Sequence, residues 1–117
     1  MQHLSAIGKP SVLACPDCHG TLWEILDSRP QRYRCHTGHG FTARTLQEAM
    51  ADASEEAVSN AMRALQEREI LLCQMATQRR ASNEERAAAE LESAAGRLKR
   101  QYELLKGLHE QSPEPIE

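Results

Sequence analysis

The sequence predicts an α+β fold, mostly α, in which three short antiparallel strands precede a long antiparallel helical hairpin. Three observations carry this reading. Of the four large ring side chains, Trp23, Tyr33 and Phe41 precede residue 42, and only Tyr102 follows it. Residues 42–111 contain no proline, and Gly96 and Gly107 are their only glycines. Alanine-rich, charged sequence of that kind favours long helices. Three of the four cysteines and three of the five histidines fall within residues 11–41.

Residues 1–10, MQHLSAIGKP, read as a flexible lead without the charged start and apolar stretch of a signal peptide. Three strands are predicted within 11–41, over Ser11–Ala14, Thr21–Leu26 and Arg32–Cys35. The stretch DSRPQ between the last two, with Pro30, forms a turn. A unit of this size buries too little core to stand alone and needs a staple.

The hairpin is expected over 42–111, with helices over about 42–78 and 83–109. Thr42 is the expected N-cap of the first helix, and Thr45–Glu48 has capping-box spacing one turn later. Ser82 and Glu85 offer the same spacing for the second helix. Residues Ala88, Leu91, Ala95, Leu98, Tyr102 and Leu105 form a heptad seam in steps of three and four. The first helix has a broader apolar face, begun by Leu46, Met50, Ala53 and Ala57. Val58, Ala61, Met62, Leu65, Leu72 and Met75 continue it. A short connection makes the two helices antiparallel neighbours. Two helices bury only part of such stripes, so a homodimer completing a four-helix bundle is expected; a monomeric hairpin is the simpler alternative. The end, SPEPIE, reads as a disordered tail over 112–117.

Charge narrows the partners. Residues 1–41 carry four Lys/Arg and three Asp/Glu, whereas residues 42–117 carry ten and fourteen. The helical part is therefore acidic, which counts against nucleic acid. No run of about 20 apolar residues suggests a membrane span. A cytoplasmic setting is expected, and four cysteines there point to a metal before a disulfide.

The chemistry sits in CPDCHG and RCHTGH. Cys15 and Cys18 have the C-x2-C spacing that aims two thiolates at one ion, and Cys35 with His39 forms a second pair. Sixteen residues separate Cys18 from Cys35, enough for a strand, a turn and a strand back. This is the pattern of a zinc ribbon over 11–41, with one structural zinc ion held by Cys15, Cys18, Cys35 and His39. Three thiolates and an imidazole suit zinc, and four protein ligands leave no open position for catalysis. His36 is the alternative fourth ligand, but it adjoins Cys35, and turning both side chains onto one ion strains the chain. Gly20 and Gly38 stand where turns around ligands need a permissive backbone. His19 is expected to be exposed, and Cys73 to be a small buried hydrophobe within the first helix. Trp23 and Tyr33 belong to the ribbon core or its packing, and Phe41 has the position of a hydrophobic staple. No nucleophile elbow, Walker loop or dinucleotide fingerprint occurs, so no enzymatic activity is expected.

One resemblance is specific. Cys15, Pro16, Cys18 and Gly20, then Leu22-Trp23-Glu24, then Arg32-Tyr33-Arg34-Cys35, Gly38, His39 and Phe41 resemble the C-terminal extension of CheB-type chemotaxis methylesterase homologues. Ala61–Arg68, AMRALQER, is similar to the helix that follows in that family. The likeness spans roughly residues 10–75. The family's methylesterase domain, with its serine, histidine and aspartate, does not occur in these 117 residues, nor does a receiver domain. His19 replaces a frequent glycine. The resemblance therefore implies an accessory module from a signalling context and carries over no hydrolase activity.

The expected function is a non-enzymatic, zinc-binding protein-interaction and oligomerisation module in chemotaxis-like signalling. The first rival is a transcription accessory factor that reaches into RNA polymerase with a helical hairpin. Its tip would be acidic, whereas Gln78–Asn83 holds Arg79 and Arg80. The second rival is a weak DNA-binding ribbon using Arg29, Arg32 and Arg34.

Overall fold

The computed structural model describes residues 7–111. The predicted tail at 112–117 and the first six residues of the predicted lead lie outside them. The chain divides into two compact units, 1–54 and 55–117. The fold class is as the sequence predicts: an antiparallel sheet followed by two long helices.

The sheet has four strands, not the three expected. They are β1 (Gly8–Ala14), β2 (Thr21–Ile25), β3 (Arg32–Arg34) and β4 (Gly40–Thr42), in the order β1-β2-β3-β4. All neighbours are antiparallel. β4 has only three residues, too few to show a period of two. It forms because the chain turns back after His39 and pairs Gly40, Phe41 and Thr42 with Arg34, Tyr33 and Arg32. β1 also starts earlier than Ser11, so Gly8, Lys9 and Pro10 belong to the sheet and not to a flexible lead. Pro10 is tolerated because β1 is an edge strand. The β1–β2 register shifts between Pro10 and Ala14. There Ser11 Oγ donates to the Leu22 carbonyl at 2.7 Å and accepts from the Leu13 N–H at 3.1 Å, replacing the interrupted ladder.

The core of the first unit is small. Cys15, Leu22, Cys35 and Leu46 are buried, with Leu13, Tyr33, Phe41 and Met50 packed around them. Two of its four central side chains are thus cysteines.

The helix α1 (Ala43–Ala81) begins at a double cap. Thr42 Oγ1 accepts from the Thr45 N–H at 3.1 Å, and the Thr42 N–H donates to Thr45 Oγ1 at 2.9 Å. This is a capping box closed by threonine at both ends. Thr42 is the N-cap as expected, but the box does not fall on Thr45 and Glu48; Glu48 instead pairs with Arg44 at 3.6 Å. Phe41 and Leu46, one residue before the cap and four after it, share the core cluster, which is the expected staple.

In the second unit, α1 connects to α2 (Glu85–Glu110) through residues 82–84. The seam of α2 is where the heptads place it. Ala88, Ala95 and Leu98 are buried, and Leu91, Tyr102 and Leu105 are half-buried. On α1 the protected positions of this unit are Val58, Met62, Leu65, Glu69, Leu72, Met75 and Ala76, again a face in steps of three and four with Met75 beside Ala76. The apolar face of α1 is narrower than expected, since Ala53, Ala57 and Ala61 are exposed. Cys73 is exposed as well, contrary to expectation, because it lies one step past Leu72 and off the seam.

The connection also departs from the expected Ser82–Glu85 capping box. The Ser82 N–H is taken by the end of α1, donating to the Gln78 and Arg79 carbonyls at 3.2 and 3.1 Å. The Asn83 N–H reaches the Arg80 carbonyl and the Glu84 N–H reaches that of Arg79, with Asn83 at φ 62°. That double bond pattern around a left-handed residue is a Schellman motif. The N-cap of α2 is Glu84, without a side-chain cap bond. Among the described residues no helix is long and apolar enough to cross a membrane.

Candidate metal centre

Two turns of the sheet carry the four donors. Cys15 follows β1 and opens a tight loop in which its N–H donates to the Gly20 carbonyl and its carbonyl accepts from the His19 N–H, both at 2.7 Å. His19 takes φ 66° there, so the permissive backbone expected at Gly20 is required at the residue before it. The second loop follows β3. The Gly38 N–H donates to the Cys35 carbonyl and the Cys35 N–H to the His39 carbonyl, each at 3.1 Å. Gly38 has φ 99°, as its place between two candidate ligands suggests.

These loops bring the Sγ atoms of Cys15, Cys18 and Cys35 and a ring nitrogen of His39 within 4.8 Å of one another. Cys18 Sγ lies 3.6 Å from Cys35 Sγ, and His39 Nδ1 lies 3.6 Å from Cys15 Sγ and 3.2 Å from Cys35 Sγ. All four cysteines are free thiols, and 3.6 Å is far beyond a disulfide bond. A tetrahedron with arms of about 2.3 Å to sulfur and about 2.0 Å to nitrogen has edges of roughly 3.5–3.8 Å. Two of these three separations match those edges and the third is shorter, so the cluster could hold a four-coordinate metal ion, with Nδ1 as the imidazole nitrogen nearest the sulfurs. Cys15 and Cys35 are buried in the core, while Cys18 is exposed and His39 half-buried. The site is anchored on its Cys15 side and open on its Cys18 side.

The electrostatics favour a cation. Burial pushes the Cys35 thiol up, but hydrogen bonds from the Thr37 hydroxyl, the His39 and Thr37 backbone and the Cys18 side chain outweigh it and hold it at about 5. The Thr37 hydroxyl likewise leads in lowering Cys18. Burial raises Cys15. Hydrogen bonds to Cys18 and then Cys35 raise His39. Two of the three thiols, Cys18 and Cys35, are thus biased toward thiolate, a charge that a bound cation would neutralise.

His36 stands apart from this set. Its ring meets that of Trp23 edge-on, with centroids 5.6 Å apart at 84°. By strand alternation Trp23 faces away from buried Leu22, and its indole N–H is buried without a hydrogen-bond partner. Tyr33 packs on the core and its hydroxyl accepts from Gln31 Nε2 at 2.7 Å. His19, Arg29, Arg32 and Arg34 are exposed. Thr37 lies between Cys35 and His39 in RCHTGH, but a single threonine there carries no ligand signature in the sequence, and only the structure brings its hydroxyl to the cluster.

Comparison of the chain with protein-family models, curated proteins and solved structures finds no match.

Proposed function

We propose that this chain is a zinc-stapled protein-interaction module, not an enzyme, in which Cys15, Cys18, Cys35 and His39 hold one structural zinc ion. The observation that carries the reading is the convergence of these donors within 4.8 Å in an otherwise minimal core. Four protein donors leave no vacant coordination position. Zinc is the ion of choice for three thiolates and one imidazole; a rubredoxin-type iron site would take four thiolates. Reduced thiols fit a cytoplasmic setting.

The helical unit supplies the interaction surface. Ile70 is 57% exposed, Leu71 56%, Leu104 72% and Leu108 65%. Large apolar side chains in water on one helical hairpin support association, and the simplest partner is a second copy of the chain. The likeness of residues 10–75 to the tails of CheB-type methylesterase homologues supports a place in chemotaxis-like signalling.

Metal analysis of protein purified without added metal tests the staple: one zinc per chain is expected, and C35S should abolish it. Full-length wild type without metal would refute the proposal. Light scattering tests association. Twice the 13.1 kDa chain mass is expected, reverting to one chain in the L104E/L108E double variant; a wild-type monomer would refute self-association.

A further inference from the structure

The ligand cluster holds a fifth polar atom that the metal reading leaves unused. Thr37 Oγ1 lies 2.9 Å from Cys35 Sγ, 3.4 Å from Cys18 Sγ and 3.1 Å from His39 Nδ1. It therefore sits over the triangular face spanned by those three donors. Cys15, the fourth vertex, is buried and makes none of the described contacts to this hydroxyl. The hydroxyl thus occupies the exposed face opposite the anchored corner, the direction from which a fifth ligand or an attacking reagent would approach.

We infer that Thr37 is a positioning residue of the metal centre, whose hydroxyl closes this face and hydrogen-bonds a ligating sulfur. This rests on the proposed metal site. A hydroxyl has one proton to donate. Nδ1 carries no proton when it ligates a metal, so the donation goes to sulfur, and Cys35 is the nearer thiolate. A hydrogen bond withdraws charge from the sulfur, which lowers its nucleophilicity and steadies its orientation. The loop explains why threonine can do this. Gly38, at φ 99°, turns the chain between Thr37 and His39, so the two side chains meet the cluster from adjacent positions.

The test compares cobalt- and zinc-loaded full-length wild type with T37V, which keeps the shape, and T37S, which keeps the hydroxyl. T37V should weaken cobalt binding about tenfold, in the range found for partners of metal ligands. It should also move the sulfur-to-cobalt charge-transfer band to lower energy and speed alkylation of the zinc-loaded protein by N-ethylmaleimide. T37S should match wild type in all three readouts. A T37V protein that binds cobalt with wild-type affinity, band position and alkylation rate overturns the inference. Equal losses in T37V and T37S overturn it too, because then the hydroxyl is not what matters. Failure of the metal site itself shows separately, as wild type that takes up no cobalt.

Discussion

His19 carries a side chain where the backbone is left-handed, at φ 66°. For an L-residue that conformation costs roughly 1–2 kcal/mol, while glycine loses about 0.5–1 kcal/mol in chain entropy. His19→Gly should therefore stabilise the sheet unit by roughly 0.5–1 kcal/mol, seen as a higher unfolding midpoint of the metal-loaded protein by Trp23 fluorescence. An unchanged or lower midpoint would mean the imidazole makes a contribution of its own. At the other loop the reverse holds: Gly38→Ala places a Cβ at φ 99° and should loosen metal binding, although no atom lies within 4 Å of that Cβ. Thr42→Ala removes one half of the cap at the start of α1 and should cost about 1 kcal/mol of stability. These positions were readable as turn and cap residues from their type. Which of His19 and Gly20 takes the left-handed turn was not, since both are compatible with a loop after Cys18.

Between the helices, the connection is locked by a Schellman motif and by ion pairs. Arg79 meets Glu84 at 2.8 Å, and Arg80 meets Glu85 at 2.9 Å and Glu92 at 2.8 Å. Arg80 holds the carboxyls of Glu85 and Glu92 below their ordinary range, chiefly through hydrogen bonds. A depressed folded pKa stabilises the protein fully above the unfolded value, about 4.3 for glutamate. The contribution is lost as pH falls through the folded values. Acid titration followed by helical circular dichroism should show this loss, with a shallower acid slope in Glu92→Gln. High salt should reduce the difference, because the groups are exposed. An identical acid slope in the variant at low salt would show that the pair carries no stability. Asn83→Ala, at φ 62°, should destabilise the turn by roughly 1 kcal/mol.

On the proposed reading, the molecule combines a sheet unit stapled by metal with a helical unit that buries a seam of its own. The sheet unit has four buried core side chains, two of them cysteines, whereas the helical unit buries a heptad seam. When ligation and folding are one equilibrium, removing metal unfolds the unit that holds it. A strong chelator should abolish the sheet signal and change Trp23 fluorescence while leaving most helical dichroism. Joint loss of both would mean that the two units melt as one. Acidification should release metal as well, since protons compete for thiolate and imidazole ligands.

By itself the sequence determined the fold class, the α2 seam and the four residues that cluster at the candidate metal centre, because each rests on a short-range regularity. Heptad spacing fixes a helical face, and C-x2-C spacing lets a tight turn aim two sulfurs at one point. Thr42 and Phe41 were legible for the same reason: a cap and its staple lie within one helical turn. Only the tertiary structure decided β4, because a three-residue strand is defined by its partner β3 and not by its own pattern. It also moved Gly8–Pro10 into the sheet, put Cys73 into solvent and gave Ser82 to the end of α1. His36 and His39 were alternatives in sequence; pairing across the sheet turns one onto Trp23 and the other onto the cysteines. Thr37 meets Cys35 and His39 within its own loop, two residues to either side, but its approach to Cys18 depends on two loops meeting, which no local spacing encodes.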